Sequence, residues 1–182
     1  MAEILEKIES LISGQQGQPP VEKWHPELSG DIDIVIASDG RWIHEGGEIK
    51  RLPLVKLFAS ILRREEDGEY YLVTPVEKWR LQVEDCPLMI LESEIDSEPD
   101  PDQRKIAVRT NTERWYILGE GHPLSMTARP DGSLAPQVEL ERGLSARVHR
   151  NVFYRWAELA EEGNQEGQWV LRAQGGSFVF SA

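Results

Sequence analysis

The chain has 182 residues, 40% of them hydrophobic, and a formal net charge of -12. That length suffices for one large domain or two small ones, and neither half is basic, so nothing marks a nucleic-acid or anionic-membrane partner. No apolar run approaches the ~20 residues that span a bilayer, the N-terminus lacks the basic start of a signal peptide, and one cysteine, Cys86, allows no internal disulfide. These features together predict a cytoplasmic protein.

In chain order, Ile4, Leu5, Ile8, Leu11 and Ile12 share one helical face, and Ser13-Gly14 ends that helix. Residues 15–20 form a connector rich in Gln, Gly and Pro. From Asp31, Ile32, Ile34 and Ile36 alternate with Asp33 and Val35 as in a half-buried strand. Asp39-Gly40 signals a hairpin to a return strand over 42–45, and Gly46-Gly47 a further turn. Pro53 suits the first turn of a helix. Leu54, Leu57, Phe58, Ile61 and Leu62 are its predicted buried stripe, and Asp67-Gly68 its stop. Strands over 70–73 and 79–83 follow, parted by the Thr74-Pro75 bend.

Residues 92–102 place an acid at every even position and include Pro99 and Pro101, which predicts a solvated loop. It joins strands over 88–91 and 106–110. Further strands are predicted over 114–118, 124–128 and 138–140, with a turn at Asp131-Gly132. A second helical stripe runs through Val148, Val152, Phe153, Trp156, Leu159 and Ala160 to a stop at Gly163-Asn164. Strands over 168–172 and 178–180, about a Gly175-Gly176 turn, close the chain. Mixed strands with two internal helices make this α+β, antiparallel for the most part.

One series of elements recurs. Residues 31–83 and 131–182 show the same order, and the alignment lays 70–73 over 168–171 and 79–83 over 177–181. The expectation is an N-terminal helix and linker at 1–20, a first α+β unit at 21–84 and a related second unit at 85–182. The pentapeptide Pro-Val-Glu-Lys-Trp also occurs twice, at 20–24 and 75–79, at a spacing the repeat does not explain.

Several phrases carry a resemblance to a known family. They include Pro-Pro-Val-Glu-Lys-Trp at 19–24, Gly-Asp-Ile-Asp-Ile at 30–34, Asp-Gly-Arg-Trp-Ile-His-Glu-Gly at 39–46 and the long block 54–84. Later come Thr110-Asn111, His122-Pro123-Leu124, Gly143-Leu144-Ser145-Ala146-Arg147, Arg150 and Val152-Phe153-Tyr154. From Pro19 onward the chain resembles the bacterial family catalogued as domain of unknown function 1285. The resemblance implies a duplicated α+β fold whose second unit is pleckstrin-homology-like. It also implies a small-ligand site between the units and a link to signal transduction; it implies no reaction.

No phosphate-cradling glycine loop, nucleophile elbow or metal-ligand spacing is present, so neither cofactor nor metal is predicted. His25, His44, His122 and His149 stand singly, and His44 and His122 lie in turn-like contexts. Arg142, Arg147, Arg150 and Arg155 cluster about the second helix, and Lys50, Arg51 and Lys56 about the first, as an anion site would require. The reading is a non-catalytic binding or sensor protein with a polar cleft between its units. Its predicted lining draws on His44, Arg51, Thr74, Lys78, Glu84, Cys86, His122, Arg147 and Tyr154, and its predicted ligand is a small anionic metabolite or a protein segment. The alternative is an enzyme with Cys86 as nucleophile and His44 or His122 as base.

Overall fold

The computed structural model describes residues 2–96, 98–174 and 176–181, with backbone alone for 2–5 and 181. Helix α1 (Ala2–Ser13) ends where the Gly14 N–H returns to the Ser10 carbonyl (3.0 Å). Ile8 is fully buried, while the side chains of Ile4 and Leu5 lie outside the described residues.

The first unit opens with a meander of β1 (Leu28–Ile36), β2 (Trp42–His44) and β3 (Gly47–Glu48). Gly40, at φ 87, makes the β1–β2 turn, a conformation that costs a glycine little. Helix α2 (Leu52–Ser60) follows, then a second meander of β4 (Leu62–Arg64), β5 (Tyr70–Val73) and β6 (Lys78–Val83). The two meanders join by parallel pairing of β1 with β6, giving the order β3-β2-β1-β6-β5-β4.

The second unit repeats the plan. Strands β7 (Leu88–Ile95), β8 (Ile106–Thr110) and β9 (Trp115–Ile117) form one meander, and β10 (Leu124–Ala128), β11 (Leu134–Glu139) and β12 (Ser145–Val148) the other. β12 runs parallel to β7, so the order is β10-β11-β12-β7-β8-β9. Strand for strand this is the first sheet again. Helix α3 (Arg150–Ala157) then leads to a small sheet of β13 (Glu161–Glu162), β14 (Gln168–Ala173) and β15 (Gly176–Ser181).

The fold is thus α+β with two related units, but the repeat is phased differently from the sequence alignment. Strand β5 corresponds to β11, not to β14, because α2 sits between meanders whereas α3 follows both. Aligning helix to helix therefore slides one sheet off the other. Three local expectations also change. α2 stops at Ser60, so Asp67-Gly68 turns the β4–β5 hairpin instead of ending a helix, and its buried positions are Val55 and Ala59, with Leu57 57% exposed. β7 extends through Ile95 into the acidic run, since Ser93 points inward while Glu92 meets Arg109 outside. Val148 ends a strand, and α3 buries Val152 and Trp156 before stopping at Ala157, short of Gly163. The predicted Gly175 turn position lies outside the described residues.

One apolar core runs through both units, from Ile34, Ile36 and Trp42 to Ile90, Val108, Val148 and Trp156. Burial of this shared surface is what holds the sheets together. Polar contacts rim the junction: the Asn111 amide donates to the Gly40 carbonyl (3.2 Å), and Lys56 pairs with Glu113 (2.9 Å). The N-terminal segment spans the same junction. Lys7 meets Glu94 (2.8 Å) on the second unit, while the single helical turn Val21–Lys23 is tied to the first by Arg63, which donates to the Val21 and Trp24 carbonyls (2.8 and 2.9 Å).

Candidate functional site

Beside the shared core the two units part into a cleft of about 580 Å³. Its first-unit wall is the β4–β5 hairpin, with Arg64, Glu69 and Tyr70, together with the end of β6 and the residue after it, Gln82 to Glu84, and Asp85 follows at the join. Its second-unit wall is Thr127 of β10, Gln137 of β11, and Ser145 and Arg147 of β12. The lining pairs Arg64 with Tyr70 and Gln137 with Arg147 are cross-strand partners, so each pair shares one face of its sheet. The two parallel central pairs then bring β6 and β12 near one another.

The fixed point of the cleft is an ion pair. Arg147, 3% exposed, donates Nε–H to Asp85 Oδ2 (2.9 Å) and Nη2–H to Asp85 Oδ1 (2.7 Å). Its Nη1 donates to Thr127 Oγ1 and to the Ala135 carbonyl, both at 2.9 Å. Burial opposes the guanidinium charge, yet the Asp85 bonds outweigh it and hold the Arg147 pKa above the usual arginine value. With four of its five N–H groups bonded and a carboxylate partner in place, this arginine is a structural strut, not an open clamp for an anion. Thr127 passes its hydroxyl proton toward Gln137 Oε1 (3.1 Å), and that oxygen also accepts from Cys86 Sγ (3.3 Å). Both acceptor directions of the amide oxygen are thus used, and the Gln137 NH2 donates to no partner among the described residues.

Glu84 occupies the first-unit lip. Its Oε2 accepts from the Ser38 N–H (2.8 Å), and its own N–H donates to the Ile36 carbonyl (3.0 Å). Arg64 spends Nε–H on the Gly68 carbonyl (3.0 Å) and lies 5.3 Å from the Tyr70 ring centroid, a cation–π approach. The turn Glu141–Gly143 wedges against β4 nearby. A Cβ on Gly143, at φ 71, would crowd the Arg64 carbonyl oxygen at 3.1 Å.

Of the residues the sequence singled out, Glu84 and Arg147 line the cleft, and Cys86 lies behind it, bonded to Gln137. The others are placed elsewhere. His44 is exposed at the end of β2, its Nδ1 donating to the Asp33 carbonyl (2.7 Å). Arg51 is the exposed residue before α2. Thr74 Oγ1 accepts from the Glu77 N–H (3.0 Å) within the β5–β6 turn. Lys78 pairs with Glu65 (3.0 Å) and sits over Tyr71. His122 packs edge-on against Tyr116, with centroids 4.9 Å apart, and donates to the Glu139 carbonyl (3.2 Å). Tyr154 is 61% exposed on α3. Sequence reasoning missed Arg64, Gln82, Asp85, Thr127, Gln137 and Ser145, none of which stands in a spacing that announces chemistry.

Two arginines of the second basic cluster are engaged within the fold. Arg142 crosses to the first unit, donating to the Ser60 carbonyl (2.6 Å), and Arg147 is committed to Asp85. Arg150 lines a second, smaller cleft of about 380 Å³, which shares Asp85 and Arg147 with the first. Among the described residues no three His, Cys, Asp or Glu side chains gather as a metal cage, and no helix is long and apolar enough to cross a membrane.

Two like sheets on one core, with a polar cleft at their seam, define a tandem α+β protein of two related units. The family follows from the sequence match. Residues 19–86 match the N-terminal domain, and residues 87–180 the C-terminal domain, of the family described as Domain of unknown function (DUF1285), and the chain belongs to it. It is similar to a crystal structure of a DUF1285 family protein from Silicibacter pomeroyi DSS-3, with 35% identity, a TM-score of 0.83, and coverage of 98% of this chain and 94% of that one. It is also similar to one from Shewanella baltica OS155, with 32% identity, a TM-score of 0.53, and coverage of 70% and 91%. No curated protein matches the chain.

Proposed function

We propose that this is a cytoplasmic, non-catalytic binding or sensor protein that takes a small polar ligand into the cleft between its units and serves in signal transduction. The observation that carries the reading is the cleft itself. Its volume of about 580 Å³ falls within the range of small-molecule sites, and both units contribute polar side chains to one opening. A ligand there touches β6 on one side and β10 to β12 on the other, so binding favours one relative setting of the units over another. We place the join at Glu84-Asp85 and read the second unit, a six-stranded sheet followed by α3, as pleckstrin-homology-like.

The Cys86 enzyme is the weaker reading on chemical grounds. Burial pushes the Cys86 thiol above its ordinary pKa, its proton is directed at Gln137 Oε1, and His44 and His122 are each bonded to a backbone carbonyl elsewhere. A nucleophilic cysteine needs the reverse, a thiolate beside a base.

A thermal-shift panel of small polar metabolites tests the proposal. Some members raise the melting temperature of the wild-type protein. The same members leave the Ala128→Trp variant unmoved, because Ala128 is an exposed lining position that an indole fills. A panel with no stabilising member, or equal shifts in the variant, overturns it.

A further inference from the structure

We infer that the ligand of this cleft is an α-amino-acid-like zwitterion, holding its ammonium on Glu84 and its carboxylate on Arg64, and not the simple anion that the arginine-rich sequence suggests. The inference rests on the binding function proposed above. It follows from which charges of the cleft are already used. Arg147 and Asp85 cancel one another through two short bonds. That leaves Arg64 as the lining cation in no ion pair among the described residues, against two lining carboxylates, Glu84 and Glu69, likewise in none. Glu84 has engaged one oxygen with the Ser38 N–H and retains the other. Arg64 has engaged Nε–H and retains its two terminal nitrogens for a carboxylate fork.

A free anion in a partly enclosed site meets two like charges and one opposite charge, which is unfavourable on balance. A zwitterion satisfies both signs at once. The remaining lining suits a polar ligand body: the Gln137 NH2 and the Gln82 amide donate or accept, and Tyr70 offers a ring face.

Isothermal titration with the α-amino acids, and, for each that binds, with its decarboxylated amine and its des-amino acid, tests this. The amino acid binds tighter than either truncated partner by about tenfold or more, the effect of one charge-assisted bond. Glu84→Gln keeps the acceptor for Ser38 and removes the charge, so it weakens the amino acid and the amine but not the acid. Arg64→Ala weakens the amino acid and the acid but not the amine. Binding of carboxylates or inorganic phosphate with no binding of amino acids overturns the zwitterion and leaves the cleft a binding site. No binding by any of these probes, nor by any member of the metabolite panel, overturns both.

Discussion

Replacing Arg147 by alanine lowers the unfolding free energy by about 3 to 5 kcal/mol, the range seen when one partner of a buried ion pair is removed. Both side chains are nearly enclosed, Arg147 at 4% and Asp85 at 9% exposed, so the surviving Asp85 charge has little water to turn to. Thr127 Oγ1 and the Ala135 carbonyl lose their donor in the same step. Arg147→Lys recovers little, because an ammonium cannot reproduce the parallel pair of bonds. Removing both charges, with Asp85→Leu and Arg147→Met, costs less than removing either alone. Urea unfolding of these variants and of the two single charge removals reads the differences directly. A loss below about 1 kcal/mol for Arg147→Ala, the range of exposed pairs, contradicts a buried strut.

Trp156→Ala is expected to cost a similar about 3 to 5 kcal/mol, by a different route. Trp156 is fully buried beneath β7, and its Nε1–H donates to Ser93 Oγ (3.0 Å), a hydroxyl only 4% exposed. Truncation opens a cavity that the two flanking sheets cannot close. Trp156→Phe separates the terms: most of the ring volume stays, but the indole donor to Ser93 is lost. Trp42→Phe is the control. Trp42 is equally enclosed, yet its Nε1–H has no hydrogen-bond partner among the described residues, so the phenylalanine forfeits no bond there. Chemical unfolding should therefore place Trp156→Ala lowest and Trp42→Phe nearest the wild type.

These residues also show what the sequence could and could not say. Strands whose side chains alternate or whose ends carry turn residues, such as β5, β8 and β10, were legible to the residue, and Asp39-Gly40 and Asp131-Gly132 turn where they should. β12 was not. Ser145, Ala146, Arg147 and Val148 are all buried, the central strand of its sheet between β11 and β7, so no period-two pattern marks it. Its arginine looked available because its partner, Asp85, lies 62 positions away. The start of α2 at Pro53 was legible, but its end and its buried face were misread, because Ile61 and Leu62 belong to the turn and strand that follow. The duplication was visible in the order of elements, and its phase was hidden by two helices that are not equivalent. The cleft is the least legible feature. Thr127, Gln137, Ser145 and Gln82 are ordinary polar residues on four strands, and only the pairing of β6 with β1 and of β12 with β7 sets them about one opening.

The central claim is that a ligand sits between the units, touching both. Backbone and side-chain amide NMR during titration with a stabilising metabolite tests it most directly. The account predicts perturbations on both walls together, at Gln82 and Glu84 of the first unit and at Thr127, Gln137 and Ser145 of the second. Shifts confined to one unit, or gathered instead about Arg129 and Arg150 in the smaller cleft, would contradict it.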